Sequence, residues 1–350
     1  MTIQTPAYAT REQVKRALDY KETARNDAQV DRAVESGSRA VEDLCHRVFY
    51  PRVATRYFDW PDRNRSRSWR LWLHQHELVS VATLVVAGEA LDPADYFLEP
   101  ANSGPPYTHV EIDLSRNAAF SSGNTHQRAI AITGVWAGAP VDEAIETTIS
   151  EDLDDSETGV DLAGGSEIDA GSLIRVGSER MLVTAVSDAS DDALTAPLTA
   201  SQNDVTVPVV DGSWFVAGET ILIDSERMLV VAVSGDNLTV KRAWDGTVLA
   251  THALLSDVYS KRVLTVVRGA YGTTATTHTT GATVSRWLPP TLVRDYALAY
   301  AIDQLLQESS GYSRVVGSGE MSQEATGRAL GRARAAAFAS HGRKSRMRAV

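Results

Sequence analysis

A nearly identical twelve-residue segment occurs twice in this chain, and it constrains the fold more than any other feature. GSERMLVTAVSD starts at Gly177, and DSERMLVVAVSG starts at Asp224, about 47 residues later. The match extends upstream, where GSLIRV at 171–176 aligns with GETILI at 218–223. In each copy a glycine precedes a short apolar strand, Ser-Glu-Arg supplies a polar turn, and Met-Leu-Val returns. The chain is therefore predicted to form the same β-hairpin twice.

A second pair of similar segments repeats with a different spacing. LTVKRAWDG at 238–246 resembles LTVVRGAYG at 264–272, and a histidine follows each after six residues, His252 and His278. The offset of this pair is only about 26 residues. A simple tandem duplication would give a single offset, whereas insertion of one copy into an exposed loop of the other gives two.

The two offsets suggest that one β-module is nested in another. The inner module is complete and spans 205–260, and the outer module is split into 160–204 and 261–287. Two sequential modules that meet near residue 205 would contradict this hypothesis.

The charged residues of the repeats occupy the predicted hairpin turns. We interpret them as turn charges rather than as acid–base pairs: Glu179, Arg180, Glu226 and Arg227. The two histidines, His252 and His278, follow on threonine-rich loops, where the sequence supplies no further ligands for a metal site.

The first 55 residues are predicted to be helical. Thr10-Arg-Glu-Gln13 has the spacing of a capping box, so a short helix should begin near Arg11. A second such signal at 26–29 precedes apolar residues at helical spacing, and Pro51 is predicted to end that helix. Gly37 should weaken its middle. Cys45 lies on the apolar face, where a thiol is usually inert packing.

Residues 56–140 are predicted to form a compact antiparallel β-domain of about six strands. The hydrophobic period changes to two from Arg56 onward, and Gly88 and Pro93 mark turns within the run. His74 and His76 are two positions apart, so a strand would place both on one face, but two ligands do not make a metal site.

The last predicted boundaries follow changes in composition. The acidic stretch 141–160 is short of aromatics and is predicted to be a mobile linker. Residues 288–321 should contain a core helix at 291–308 followed by a hinge, and 322–350 should form a basic helical tail. The apolar stripe expected on the core helix is Leu292, Tyr296, Ala299, Ile302 and Leu306.

Composition indicates an ordinary globular protein. Its 350 residues are 43% hydrophobic and 23% charged, with a single cysteine, which excludes an intrachain disulfide framework and fits a reducing cytoplasm. The sequence shows no signal peptide and no apolar run long enough to span a membrane.

The net charge of −11 is unevenly distributed along the chain. About 21 acidic and three basic residues lie in 141–240, whereas 322–350 holds about seven basic residues and one acidic residue. An acidic middle disfavours nucleic acid, and a basic end favours phosphate or an acidic protein surface. Solvated surface remains the alternative reading of the acidic stretch.

Sequence signatures of common enzymes are missing. The chain has no phosphate-binding loop, no dinucleotide-binding glycine motif, no nucleophile elbow and no zinc-protease helix. Counted from Asp152, the acidic stretch places Glu157 where a calcium-binding EF-hand loop needs glycine. We therefore expect neither catalysis nor a cofactor nor a metal.

The two ends of the chain resemble a viral protein family. The resemblance covers roughly 8–140 and 288–340 and is distributed over several motifs: ARNDAQVDRAVESGSRAVEDL at 24–44, FYP at 49–51, TRYFD at 55–59, LDPADYFL at 91–98, GPPY at 104–107 and IAITGVW at 130–136. In these segments the chain resembles the head–tail adaptor (connector) proteins of long-tailed bacteriophages. The β-modules from about 150 to 287 depart from the compact form of that family.

The resemblance implies a structural role in the virion neck. Such adaptors assemble in the cytoplasm of the bacterial host as a ring, usually dodecameric, below the portal. They extend the DNA channel, through which DNA passes without specific binding, and they dock a stopper or tail terminator protein without touching a membrane. The family's C-terminal segment typically contacts the portal. In this chain the residues expected to do so are Arg328, Arg332, Arg334, Arg343, Lys344, Arg346 and Arg348.

The fold predicted from these features is α+β. N- and C-terminal helices form a helical core, which holds a compact antiparallel β-domain and an inserted pair of small all-β modules, one nested in the other. Three other functions stay open: a tail-side stopper, tail terminator or baseplate component; a protein whose twin modules bind a surface; and an enzyme, which no motif supports.

Overall fold

The computed structural model describes residues 4–18, 27–61, 67–309, 315–316, 323–324 and 327–343. The chain is of mixed α+β class, as the sequence predicted. Within the described residues it forms four helices and several antiparallel sheets. The helices are α1 (Arg11–Leu18), α2 (Asp27–Cys45), α3 (Thr291–Ser309) and α4 (Gly327–His341). No helix of this described part is long and apolar enough to cross a membrane.

Helix α1 begins where the capping box predicted. The Thr10 hydroxyl accepts a hydrogen bond from the Gln13 backbone N–H at 3.3 Å, and the Gln13 side chain accepts one from the Thr10 N–H at 3.1 Å. The two side chains thus satisfy backbone donors that a helix start leaves free.

Helix α2 ends earlier than the sequence predicted. Its last residue is Cys45, and His46 follows in the left-handed region at φ 51°, so Pro51 does not end the helix. Gly37 also has a role that its helix propensity does not show. A Cβ at Gly37 would lie 2.5 Å from the Ala297 carbonyl oxygen, so the missing side chain lets α2 and α3 cross closely.

Both ends of the chain meet in one helical core. Helix α3 contacts both α2 and α4. The buried core residues come from the N-terminal segment, from these helices and from five residues outside them, three of which are aromatic: Tyr8, Ala9, Val41, Cys45, Phe49, Tyr50, Ala139, Leu173, Trp287, Val293, Tyr296, Ala297 and Ala337.

The buried face of α3 differs from the predicted stripe. The stripe was wrong at Leu306, which is 43% exposed, and the line of deepest burial runs through Val293, Ala297, Ala301 and Leu305. The pattern of large apolar residues predicted the wrong face because a close helix crossing selects small residues instead.

The β-domain has seven strands in its described residues, where the sequence predicted about six, and it starts four residues before the predicted boundary. They are β1 (Arg52–Phe58), β2 (Arg70–Trp72), β3 (Leu78–Val86), β4 (Glu89–Ala90), β5 (Tyr96–Glu99), β6 (His109–Ile112) and β7 (Ile130–Trp136). A four-stranded sheet has the order β1-β7-β3-β4, and a three-stranded sheet has the order β2-β6-β5. Phe58, Leu73, Leu84, Ile132 and Trp136 are among the buried residues of this domain.

The remaining long strands form one ten-stranded sheet. They are β8 (Asp142–Thr148), β9 (Gly159–Asp161), β10 (Leu173–Val176), β11 (Glu179–Ala193), β12 (Thr206–Pro208), β13 (Thr220–Ile223), β14 (Glu226–Ser234), β15 (Asn237–Trp244), β16 (Asp257–Val267) and β17 (Thr283–Leu288). Their order is β12-β15-β14-β13-β16-β11-β10-β17-β8, and β9 pairs with β16.

The repeated hairpins have identical registers. Strand β10 pairs with β11 so that Val176 faces Glu179, and β13 pairs with β14 so that Ile223 faces Glu226. The first turn residue is left-handed in both, Gly177 at φ 58° and Asp224 at φ 51°. The hairpin prediction is therefore confirmed in both copies.

Two separate hydrophobic clusters fill the large sheet. One contains Ile149, Leu153, Val160, Leu162, Ile168, Ile174, Val176, Met181, Val183, Leu264, Val266 and Val284. The other contains Leu194, Leu198, Val207, Val209, Phe215, Ile221, Ile223, Met228, Val230, Leu238, Val240 and Val258. Strand β16 contributes to both, because its start pairs with β13 and its full length pairs with β11.

The acidic stretch predicted as a linker over 141–160 is part of this sheet instead. Strand β8 pairs with β17 along its whole length, and Ile149, Leu153 and Val160 are buried in the first cluster. The acidic side chains between them are mostly exposed. Composition suggested a linker because charged residues outnumber the few apolar ones, but those few lie at the positions that face the core.

The predicted hinge and tail lie partly outside the described residues. Two short strands, β18 (Val315–Val316) and β19 (Gln323–Glu324), pair with each other, and α4 provides the helical part of the tail. Residues 310–314, 317–322, 325–326 and 344–350 are outside the described part of the chain.

Candidate functional site

The most distinctive polar site of the inner hairpin is centred on a buried carboxylate. Glu226 starts β14, and its side chain is 0% exposed. Arg242 donates to both carboxylate oxygens, from Nε at 2.7 Å and from Nη2 at 2.8 Å. The backbone N–H groups of Ala243 and Ala250 donate at 2.9 Å each, and His252 Nε2 lies 3.0 Å from Oε2. Five contacts therefore converge on one carboxylate.

The outer hairpin contains the same site. Glu179 is also 0% exposed, and Arg268 donates to its two oxygens at 2.8 and 2.9 Å. The backbone N–H groups of Gly269 and Thr276 donate at 2.8 and 3.1 Å, and His278 Nε2 lies 2.8 Å away. Every group around Glu226 has its counterpart here, so the duplication includes a complete polar cluster. We call the two sites the twin Glu–Arg–His clusters.

Each arginine of the twin Glu–Arg–His clusters uses all of its donors. In the inner copy the remaining guanidinium N–H groups donate to the carbonyls of Thr199, Asp204 and Ala250. In the outer copy they donate to the carbonyls of Asp154, Glu157 and Thr276. Each cluster thus fastens a hairpin turn to a distant loop, and in the outer copy this loop is the acidic stretch.

The copies differ at one position of the turn. In the inner copy His252 Nδ1 lies 2.6 Å from Asp224 Oδ2. The outer copy has Gly177 at the equivalent position, so this position offers His278 no counterpart of the Asp224 carboxylate.

The environment of both glutamates keeps them ionised. Burial raises the pKa of a carboxyl group, but at Glu226 the hydrogen bonds from Arg242, from two backbone N–H groups and from His252 outweigh it and lower the pKa to about 2. The pKa of Glu179 falls to about 2 for the same reasons. A carboxylate that is surrounded by five donors has no free lone pair with which to accept a proton from another molecule. The clusters therefore suit structural anchoring rather than acid–base chemistry.

These findings correct the interpretation of the motif charges. Glu179 and Glu226 are buried anchors, not exposed turn charges. The histidines do have polar partners, which the sequence pattern did not predict. The sequence did contain a signal for these contacts, because Glu, Arg and His follow one another in the same order in both copies. An exposed turn would not need an arginine and a histidine at matching positions of the segments that follow each hairpin.

A second charged network joins α1 to the large sheet. Lys261 of β16 donates to Glu12 at 2.8 Å, and Lys15 contacts both Asp27 and Asp245 at 2.8 Å. Burial raises the pKa of Glu12, but Lys261 and Lys15 outweigh this and lower it to about 2. The helix and the sheet are therefore held together by partly buried ion pairs.

The residues expected to contact a portal are dispersed in the structure. Arg332 and Arg334 are exposed on α4, and Arg334 hydrogen-bonds Tyr296. Arg343 folds back onto its own chain, where Nη2 donates to the Gln75 carbonyl at 2.6 Å. The side chain of Arg328 and the residues Lys344, Arg346 and Arg348 lie outside the described part.

His74 and His76 do not share a strand face. They lie in the turn after β2, with His74 at φ 54°, and His76 packs against Phe58 and Trp136. Among the described residues no group of three or more His, Cys, Asp and Glu side chains is arranged to hold a metal ion. Cys45 is buried at the end of α2, as expected for an inert thiol.

The inner hairpin region exposes several large apolar side chains. They are Val210 at 61%, Val231 at 57%, Val248 at 80%, Leu254 at 54% and Leu255 at 69% exposure. Three of these flank the loop that carries His252. Exposed apolar side chains are a feature of interaction surfaces when they form one patch.

No known family model matches the chain, and no significant match exists among the curated proteins or the solved structures with which it was compared.

Proposed function

We propose that this chain is a structural adaptor of a bacteriophage neck, which forms a ring below the portal, extends the DNA channel and docks the next neck or tail protein. The observation that supports this most directly is the helical core built from both ends of the chain, next to a separate β-domain. A closed ring needs two unlike surfaces on each subunit, because each copy contacts its neighbours heterologously.

Helix α4 supplies a surface for the portal. Ala337 is buried in the helical core, and Leu330 and Ala333 pack partly against it. Arg332 and Arg334 lie on exposed positions of the same helix. A basic surface on a helix that is fixed to the core suits contacts with acidic side chains of a partner.

The overall charge suits a channel through which DNA moves. Contacts with phosphates dominate the affinity of proteins for DNA, and a subunit with a net charge of −11 limits them. DNA therefore passes the ring without being held.

The large sheet is best explained by two nested modules. The two hydrophobic clusters support this hypothesis: one draws on 149–183 together with 264–284, and the other draws on 194–258. The outer module then begins near 149 rather than 160, since the acidic stretch contributes Ile149 and Leu153 to its core.

Electron microscopy of the purified protein and of isolated necks tests the adaptor assignment. A ring located between the capsid vertex and the tail supports it. A monomer, or a ring on the tail side, contradicts it and favours a stopper, tail terminator or baseplate component.

Point substitutions test the role of α4 better than truncation does, because deletion of 322–350 would also uncover the core around Ala337. The double variant Arg332→Gln, Arg334→Gln should form rings but bind portal-containing heads poorly. Arg67→Gln, an exposed arginine of the β-domain, is the matched control. Unchanged head binding by the double variant would refute the proposed role of α4.

A second function is favoured by the exposed apolar residues of the inner region, which suit a binding surface. The variant Val248→Ser, Leu254→Ser, Leu255→Ser separates the two readings. Particles that join heads to tails but adsorb poorly to cells would support surface binding. If heads no longer joined tails, this surface would instead belong to the contacts within the neck.

A further inference from the structure

A cleft with unusual charge lies between α2 and the β-domain. Its volume is about 400 Å³, and its walls come from the end of α2, from β1, from the turn after β2 and from the end of β7. The residues that line the cleft include Arg52, Arg56, His76, Glu77 and Trp136.

Two arginines of this cleft lack a salt-bridge partner among the described residues, although the charge of Arg52 acts on Glu42 and counteracts the rise in its pKa that burial causes. Neither Arg52 nor Arg56 forms a salt bridge with any carboxylate of the described residues. Arg52 contacts the Tyr50 hydroxyl and lies over its ring with Cζ 4.6 Å from the ring centre. Arg56 lies over Trp136 at 4.9 Å. Stacking on an aromatic face leaves the edge of a guanidinium free to bind a planar anion.

The inner nitrogens of these side chains are also unsatisfied. The Nε atoms of Arg52 and Arg56 are buried and have no hydrogen-bond partner. The Nε atom of Arg47 in the same cleft is also without a partner. Buried donors without partners are uncommon in folded proteins, and a bound ion or water is one explanation for them. By contrast, the fully buried Arg242 satisfies all of its N–H groups within the chain.

The groups around Arg56 leave its positive charge unbalanced. Its partner is His76, whose pKa is lowered to about 4 by burial and then by Arg56, His74 and Arg343, so the imidazole is neutral near pH 7. Burial and Arg52 lower the pKa of Arg56 itself. An anion beside the two guanidinium groups would stabilise the buried charge of Arg56 and would offset its repulsion from Arg52.

The remaining charges of the cleft indicate which anion fits. Glu77 lies 3.2 Å from Arg47 and 3.6 Å from Arg343, so these two arginines are already paired. Glu42 and Asp43 also line the cleft. The four arginines of the walls exceed the three carboxylates by one positive charge, which matches the single negative charge of a carboxylate.

We propose that Arg52 and Arg56 form a binding site for a carboxylate side chain of an acidic protein segment. The planar carboxylate pairs with the exposed guanidinium edges, and Trp136, which lines the cleft, provides an apolar wall for the aliphatic part of the bound residue. This site does not depend on the adaptor assignment, because it follows from the unpaired arginines alone.

Isothermal titration of the full chain tests the site, with N-acetylated, C-amidated tetraglutamate as the probe. Tetraglutamine of the same form and inorganic phosphate are the comparison ligands. Tetraglutamate should bind at low salt, and Arg52→Gln and Arg56→Gln should each weaken it about tenfold, the usual effect of one lost charge-assisted hydrogen bond. Arg67→Gln, outside the cleft, should not change the affinity.

A variant with the opposite effect keeps the test informative if an arginine variant fails to fold. Glu77→Gln removes the acid that pairs with Arg47 and Arg343, so it should tighten tetraglutamate binding by about threefold. The proposal would be overturned if tetraglutamine bound as tightly as tetraglutamate, or if phosphate bound more tightly. It would also be overturned if none of the three cleft substitutions changed the affinity for tetraglutamate.

Discussion

The substitution Glu226→Gln tests whether the twin Glu–Arg–His clusters stabilise the fold as their geometry indicates. The amide keeps the shape of the side chain but removes the charge. It also replaces one acceptor oxygen by an NH₂ group, which then faces N–H donors of Arg242 or the backbone. Arg242, whose side chain is 0% exposed, loses its counter-charge.

The expected cost is large for a single substitution. Removal of one partner of a buried ion pair costs about 3–5 kcal/mol, because the other charge stays buried. A domain has a free energy of unfolding of about 5–15 kcal/mol in total. We therefore expect Glu226→Gln to lower the free energy of unfolding by about 4 kcal/mol.

Urea unfolding followed by circular dichroism measures this loss, and hydrogen exchange locates it. Exchange should accelerate most in the strands that surround Glu226. Glu179→Gln is the matched variant in the outer copy and should have a similar cost, since the same five donors surround it. Glu308→Gln removes a partly exposed pair with Arg32 and should cost less than about 1 kcal/mol.

A double variant separates the charge effect from simple loss of packing. Glu226→Leu combined with Arg242→Met removes both charges, so it should be clearly more stable than Glu226→Leu alone. The reasoning would be refuted if Glu226→Gln cost less than about 1 kcal/mol, or if the double variant were no more stable than the single one.

Three further outcomes follow from the same structure. Gly37→Ala should destabilise the chain by about 1–3 kcal/mol in thermal unfolding, because its Cβ would meet the Ala297 carbonyl oxygen. Gly331→Ala on α4, where a Cβ would have no atom within 4 Å, should be neutral or stabilising. Equal effects of the two substitutions would contradict the close helix crossing. The two buried glutamates have pKa values of about 2 instead of 4.5, so their stabilisation is complete above pH 4.5 and is lost as the pH falls toward 2, up to about 3 kcal/mol for each. Urea midpoints that stay constant between pH 5 and pH 3, a window of about two units, would rule this out. Cys45 is buried and its pKa is raised by burial, so a thiol reagent should modify it in urea but hardly at all in buffer; rapid labelling of the native chain would show that α2 opens.

Local patterns in the sequence were enough to predict local structure. The capping box at Thr10 and the repeated strand–turn–strand motif depend on residues that are close together in the chain, so short-range rules located them. The β-domain was predicted for the same reason, since its strands alternate with a period of two. Predictions about element ends and faces were weaker, and the α3 stripe was displaced because the helix crossing favours alanine over larger residues.

Only the tertiary structure decided which polar residues are buried and what holds them. Ser-Glu-Arg is the sequence of an ordinary exposed turn, and nothing in it distinguishes an exposed glutamate from a buried one. Arg242 comes from β15 and Arg268 from the turn after β16, and the acidic loop that Arg268 fastens lies more than 100 residues from it in the chain. Burial of a charge depends on whether distant partners supply enough hydrogen bonds to replace water, and that supply exists only when the chain has folded.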